Sequence, residues 1–127
     1  MKKYICNYCL FATIIYLLYN AKMAEKTPQI KILAEGVTKQ KIEADNPNDF
    51  RITIEPRSEL PMRTSEHDYF WQVKSGVGLL HFIRSGSEHM WNPRISEGIS
   101  GEIEIGDQFG VTNIGQENLE VLVSKIS

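Results

Sequence analysis

The segment that most constrains the fold is residues 106–123, where two turns alternate with two short apolar strands. Gly106 and Asp107 form the first turn, and an Asn-x-Gly sequence at residues 113–115 forms the second. Residues 119–123 then place apolar side chains at every other position. This period of two is typical of a strand with one face in a core. The order of turns and strands therefore favours a small β-structure.

Other segments repeat this pattern along the chain. Residues 50–55 and 101–105 alternate apolar and polar side chains, which predicts half-buried strands. Residues 69–73 and 77–83 are rich in aromatic and β-branched residues, and the short segment between them predicts that they form a hairpin.

Two weaker strands are expected at residues 30–33 and 37–43, around Glu35 and Gly36. Loops are expected at residues 45–49 and 55–61, and a long irregular segment at residues 85–100. No helical apolar stripe occurs beyond the N-terminal region. We therefore predict an all-β barrel or sandwich of seven or eight strands.

The size and charge of the chain limit its function. Its 127 residues suffice for one hydrophobic core, and we assign residues 23–127 to a single domain. The net charge is −2 and no basic run is present, so we expect no nucleic-acid binding through this domain.

The N-terminal residues 1–22 allow two interpretations. Lys2 and Lys3 precede an apolar run at residues 4–19, which is typical of a secretory signal or a membrane anchor. Membrane contact is expected only through this run, if it is retained. Alternatively, Met23 is the true start, and residues 1–22 extend the reading frame upstream. The first interpretation predicts an exported protein, and the second an intracellular one, with the nucleus among its locations.

The two cysteines, Cys6 and Cys9, both lie in the apolar run. Their spacing matches a redox or zinc pair, but one pair supplies only two of the four ligands that structural zinc needs. Without residues 1–22 the chain has no cysteine, so we expect the fold to be independent of disulfides.

The order of elements in residues 50–125, about three-fifths of the chain, resembles the conserved core of the cupins. The strand at residues 69–73, Gly76 and the strand at residues 77–83 match the first family motif. Gly106-Asp107-Gln108-Phe109 and the turn at residues 113–115 resemble the second. The resemblance implies a cupin-like jelly-roll barrel.

The same resemblance implies where a metallocupin would hold its metal. Counting back from Gly76 puts the family's glutamate at Tyr69 and its histidines near positions 62–65, where none occurs. The histidine of the second motif is also absent between Val111 and Asn113. A metal site needs at least three convergent ligands. We therefore expect no metal and no cofactor, unless a shift in register brings Glu66, His67 or Asp68 into the barrel.

Three residues are candidates for ligand binding. His67 and Tyr69 are two residues apart and are predicted to share a strand face. Trp91 lies in the long irregular segment, where residues 88–91 form either a lid over a pocket or a cover for the core. His81 lies in an apolar strand, which favours a hydrogen-bonded histidine over a ligand.

Phe70 and Trp71 are candidates for an interface. They are adjacent, so in a strand their side chains point to opposite faces. One of them belongs to the core and the other faces a second sheet, a partner or solvent. Large aromatic side chains contribute strongly to interfaces, which makes this pair a predicted self-association surface.

These observations lead to three functional hypotheses. The cupins at the C-terminus of centromere protein C also lack the metal histidines, and they dimerise. This chain is similar to them in the order Gly106, Asp107, Phe109, Val111, Asn113 and Ile114. The first hypothesis is therefore a non-catalytic module that forms a homodimer or binds a protein partner. The second is an exported cupin that binds a small ligand. The third is an enzyme, either metal-dependent with displaced ligands or epimerase-like with a His base opposite a Tyr acid.

Overall fold

The computed structural model describes residues 30–43 and 46–126. The predictions for residues 1–22, including the signal, the anchor and the cysteine pair, lie outside this part of the chain. In the described residues no helix is long and apolar enough to cross a membrane.

The described residues form strands joined by turns, in two antiparallel sheets. The strands are β1 (Ile30–Ala34), β2 (Val37–Glu43), β3 (Asn46–Ile54), β4 (Glu59–Thr64), β5 (Tyr69–Ser75), β6 (Val77–Ile83), β7 (Met90–Trp91), β8 (Arg94–Ser96), β9 (Ser100–Ile103), β10 (Gln108–Asn113) and β11 (Leu119–Lys125).

The larger sheet has six strands in the order β1-β2-β3-β11-β5-β9, and the smaller has the order β4-β10-β6-β7, with β8 also on β6. From β3 to β6 the chain changes sheet at every connection, as it does from β8 to β11. Strand β11 lies between β3 and β5, antiparallel to both. The predicted all-β barrel is confirmed, as a jelly roll, but the expected seven or eight strands are eleven in the described residues, because the segments predicted as loops also pair.

The core lies between the two sheets and follows the alternation in the sequence. In β5 the side chains of Trp71 and Val73 face inward and Phe70 faces outward. In β11 the inward side chains are Leu119, Val121 and Val123, all buried. Burial of these apolar side chains is the main favourable contribution to folding.

The predicted hairpin between residues 69–73 and 77–83 is wrong. Strand β5 pairs with β9 and β11, whereas the next strand, β6, pairs with β10, β7 and β8. Between them Gly76 turns the chain from one sheet to the other with φ of 89°. A Cβ atom at Gly76 would lie 2.7 Å from the Asn118 carbonyl oxygen, so this corner requires glycine.

Three segments predicted as loops contain strands. The loop expected at residues 45–49 is wrong from residue 46 onward, because Asn46 and Asp49 belong to β3 and pair with Glu43 and Ser124. Residues 59–64 form β4, an edge strand, and an edge position tolerates Pro61, which has no N–H to donate. The segment at residues 85–100 contains the short strands β7 and β8, which both pair with β6.

The Gly-Asp turn connects three loops through Asp107. This side chain is 1% exposed, and its carboxylate accepts hydrogen bonds from the backbone N–H groups of Ser85 and Glu104, each at 2.8 Å. The backbone carbonyl of Asp107 accepts from the N–H of Ser65 at 2.7 Å. The Gly-Asp turn thus has a structural role in this chain.

The Asn-x-Gly turn is held in a similar way by Asn113, which is buried. Its side-chain amide donates to the carbonyls of Ile54 and Glu117, and its side-chain oxygen accepts from the N–H of Gly115. Both motifs therefore specify how strands of the two sheets are joined.

Candidate functional site

The space between the sheets is not filled by side chains. It contains a cavity of about 440 Å³, open at one end of the barrel. Most of its walls are apolar, and its inner lining includes Ile52, Leu60, Trp71, Leu80 and Val121. Cavities of this size are typical of sites for small molecules.

Three cationic side chains of two different sheets line the same cavity: Lys31, Lys39 and Arg63. Lys31 and Lys39 lie directly opposite each other in the pairing of β1 with β2. Strand β1 also approaches β4, which carries Arg63. Within residues 30–43 and 46–126, none of the three lies within 4.0 Å of a carboxylate.

Lys39 is half-buried, and its ammonium lies 4.1 Å from the centre of the Phe50 ring. The pKa of Lys39 is lower than its ordinary value of 10.5, first because of burial and then because of the charges of Lys31, Lys41 and Arg63. The positive charges therefore repel one another at a site that an anion would stabilise.

Tyr69 lines the cavity near the same end, with Glu66 beside it. Burial, together with the negative charge of Glu66, raises the pKa of Tyr69 above 10.0. The phenol is therefore protonated near neutral pH, and its O–H is a hydrogen-bond donor. Among the described residues its hydroxyl has no hydrogen-bond partner. The Tyr69 ring packs edge-on against Phe50, with centroids 6.0 Å apart.

Trp71 forms part of the cavity wall. Its indole covers Gly101, its partner in the pairing of β5 with β9, so that a Cβ atom at position 101 would lie 2.7 Å from the ring. The indole nitrogen is buried and has no hydrogen-bond partner in the described part of the chain. Since Trp71 is 9% exposed and Phe70 is 40% exposed, Phe70 is the member of this pair that a partner can reach.

The structure separates the three residues predicted to bind a ligand. Tyr69 lines the cavity. His67 lies beside it, with ring centroids 6.1 Å apart, but is not among the described residues of the lining. Trp91 is outside the lining as well, and is exposed, with its ring against Phe82 and His89. Their roles in binding remain predictions.

The remaining polar candidates have structural partners. Asp68 accepts a hydrogen bond from the N–H of Ile105 at 2.8 Å. His81 contacts Asn92 at 2.6 Å and Thr112 at 2.8 Å, which confirms the prediction of a hydrogen-bonded strand histidine. In residues 30–43 and 46–126, no three His, Cys, Asp or Glu side chains converge as a metal site requires.

The face of the six-stranded sheet that points away from the cavity, here called the outer face, exposes several apolar side chains. Ile30 and Ile32 on β1 alternate with cavity-lining Lys31 and Leu33, and they are 64% and 75% exposed. Exposed side chains at Ile42 and Phe70 lie on the same face, together with half-buried Leu122. This surface is a candidate interface.

No family model matches the chain, and no curated protein matches it. Solved structures do resemble it. The cupin domain of Drosophila melanogaster CENP-C superposes with a TM-score of 0.69 at 13% identity, covering 77% of this chain and 74% of that one. A structure of D. melanogaster CENP-C bound to CAL1 also gives 0.69 at 13% identity, covering 77% and 79%.

Cupins described as enzymes are similar as well. A predicted oxalate decarboxylase from Thermotoga maritima superposes with a TM-score of 0.62 at 19% identity, covering 81% of this chain and 94% of that chain. The chain therefore has a cupin-like jelly-roll fold, as the sequence resemblance implied. The fold is shared by binding modules and enzymes, so function has to be argued from the surface and the cavity.

The cationic residues at the cavity mouth were missed by sequence reasoning. Isolated lysines in a polar strand are usually solvated, and nothing about Lys31 or Arg63 alone distinguishes them. A signal was present in β2, where inward Val37 implies that Lys39, two residues later, faces inward too. It could be used only once the buried face of β2 was known.

Proposed function

We propose that this domain is a non-catalytic cupin-like module that forms a homodimer through the outer face of its larger sheet. The observation that carries the proposal is the exposure of Ile30, Ile32 and Ile42 on adjacent strands of that face. Monomeric proteins rarely expose contiguous apolar clusters, and such clusters are typical of interfaces. Homodimers bury the same surface from each subunit about a twofold axis.

Phe70 and Leu122 add apolar side chains to the same face, on strands that β3 separates from β1 and β2. In the pairing of β5 with β11, Phe70 lies opposite Ser124 and therefore diagonal to Leu122. Exposed aromatic side chains contribute strongly when a partner covers them. The structure of a domain of similar fold, D. melanogaster CENP-C bound to CAL1, supports protein binding as the broader role.

The enzyme hypothesis has one relevant geometric observation. An epimerase-like site needs a His base and a Tyr acid on opposite sides of a substrate in the barrel. Here His67 and Tyr69 are neighbours on one side, and only Tyr69 lines the cavity. This arrangement favours the non-catalytic proposal over an epimerase-like one.

The first experiment is light scattering on the full chain, wild type and Ile30→Glu. We expect twice the mass of the chain for the wild type. Removing one isoleucine from an interface costs about 1.5–3 kcal/mol per subunit, and each 1.4 kcal/mol is about tenfold in affinity. Both subunits of a twofold dimer lose the side chain, so the total loss is about 3–6 kcal/mol. Ile30→Glu should therefore raise the concentration at which the dimer dissociates by at least about a hundredfold.

Two matched variants serve as controls. Ile105 is exposed to the same 64% as Ile30 but lies in a turn away from the outer face, so Ile105→Glu should leave the dimer intact. The variant Phe70→Glu should also weaken the dimer. Met90→Glu is its control, because both side chains are about equally exposed and Met90 lies on the smaller sheet. A monomeric wild type, or equal effects of Ile30→Glu and Ile105→Glu, contradicts the proposal.

A further inference from the structure

The cavity combines two properties that together define a class of ligand. Its interior is apolar, and its lining includes two lysines and an arginine whose charges have no carboxylate partner within 4.0 Å in the described residues. An apolar interior accepts a hydrocarbon or aromatic body. The three cationic side chains can bind one negatively charged group at the end of such a ligand.

The positions of the cations are compatible with a single anionic group. Lys31 and Lys39 are paired residues on adjacent strands, a relation that places their Cβ atoms about 5 Å apart. Arg63 faces them from the smaller sheet and lowers the pKa of Lys39, so the three charges act on one another. Only Glu66 brings an acid into the same described lining.

A hydrogen-bond donor lies near this cationic end. The hydroxyl of Tyr69 is protonated near neutral pH, because its pKa is raised, and it has no partner in the described ranges. The interaction of Lys39 with the Phe50 ring also places the ammonium above the apolar part of the cavity, close to where a ligand's tail would begin.

We propose that the barrel binds a small apolar carboxylate, whose body fills the cavity and whose carboxylate lies among Lys31, Lys39 and Arg63. Binding relieves the repulsion between the cations and excludes water from the apolar walls. The inference does not depend on dimerisation, since the cavity and the outer face are on opposite sides of the larger sheet.

The test is isothermal titration calorimetry of the full chain with three probes that share one tail: octanoate, octan-1-ol and octylammonium. We expect octanoate to bind at least tenfold more tightly than octan-1-ol, and octylammonium to bind most weakly. Raised salt should weaken the binding of octanoate and leave that of octan-1-ol nearly unchanged.

Two lysine variants locate the site. Lys39→Met is one heavy atom shorter, keeps the unbranched apolar stem and removes the charge. It should lower octanoate affinity about tenfold, or about 1.4 kcal/mol. Lys74→Met is the matched control, because Lys74 is exposed on the outward side of β5. Residues 1–29 are the same in both variants, so any binding of the probes there cancels in the comparison.

Equal affinity for octanoate and octan-1-ol overturns the assignment of a carboxylate. Equal losses in Lys39→Met and Lys74→Met overturn the assignment of the site. Absence of octanoate binding to a wild type that is dimeric by light scattering overturns the ligand inference and leaves the proposed function standing. Octanoate binding by a monomeric wild type overturns the proposed dimer and leaves the ligand inference standing.

Discussion

At the scale of single residues, Asp107 illustrates how one buried carboxylate joins distant parts of the chain. Its carboxylate accepts hydrogen bonds from the backbone N–H groups of Ser85 and Glu104. Its backbone carbonyl accepts one from the N–H of Ser65. The nearby Arg84 guanidinium, 4.0 Å away, is compatible with its negative charge. A buried backbone N–H with no carbonyl or water in reach needs such a side chain as its acceptor.

The substitution Asp107→Asn should therefore destabilise the fold. One carboxylate oxygen becomes an NH₂ group that cannot accept from the backbone N–H facing it. We expect a loss of about 1.5–3 kcal/mol in the free energy of unfolding, the range for hydrogen bonds to charged groups. Urea denaturation measures this loss. Glu102→Gln, on the outward side of β9, is the control and should change stability by less than about 0.5 kcal/mol.

The lowered pKa of Lys39 predicts that the stability of the fold depends on pH. Its pKa in the folded state is lower than 10.5, because of burial and the charges of Lys31, Lys41 and Arg63. Between the lowered pKa and 10.5 the unfolded chain binds more protons, so this residue's contribution to stability rises with pH through that window. Below this pH window Lys39 is charged in both states, and its contribution to stability is constant and unfavourable.

The measurement compares wild type with Lys39→Met in urea denaturation from about pH 7 upward. Any stability advantage of the variant should shrink as the pH rises toward 10.5. The comparison removes the effect of Tyr69, whose raised pKa acts in the opposite direction above 10.0 in both proteins. A difference between the two proteins that stays constant with pH means that Lys39 is not perturbed by folding.

At the scale of elements, the corner at Gly76 determines which sheet each strand joins. The residue has a positive φ and lies against the backbone of Asn118 and Leu119. A pattern of alternating side chains predicts strands but does not say which strands pair. The prediction of a hairpin between β5 and β6 was wrong for this reason. A short link containing glycine can form a corner between two sheets as well as a hairpin turn.

Two glycine substitutions distinguish the cost of a left-handed backbone conformation from the cost of a steric overlap. Gly76 and Gly86 have similar φ values, 89° and 83°, but a Cβ atom at Gly86 meets nothing within 4 Å. Gly86→Ala should lose about 1–2 kcal/mol for the left-handed conformation alone. Gly76→Ala should lose about 1–3 kcal/mol more, because the methyl group overlaps backbone atoms. Equal losses in urea denaturation contradict the assignment of a packed corner.

At the scale of the whole molecule, the fold was predictable to the level of a cupin-like barrel. The turns at Gly106-Asp107 and Asn113-x-Gly115 have a specific order, and the structure shows that both hold loops through buried side chains. Strands with one buried face were also predictable, because burial imposes a period of two. Strand β4 was not, since Pro61 indicated a loop and its tolerance at an edge depends on topology.

The candidate site was less predictable than the fold. Of the residues proposed for ligand binding, Tyr69 lines the cavity, while Lys31 and Arg63 at its mouth had no local signal. The signal for Lys39 depended on knowing which face of β2 is buried. Lys31 and Arg63 come together only when β1 and β4 approach each other across the barrel. A property that arises from two strands about thirty residues apart cannot be inferred from the pattern of either one.

The place of β11 in the middle of the larger sheet has a consequence for synthesis. The ribosome makes β3 and β5 before β11, the strand that lies between them. At about 5–20 residues per second, several seconds pass between the completion of β3 and that of β11. During this interval both strands have an open edge that only residues 119–125 can fill in this fold. The nascent domain is therefore prone to bind chaperones, and to exchange strands with a neighbour, until residues 119–125 have been made.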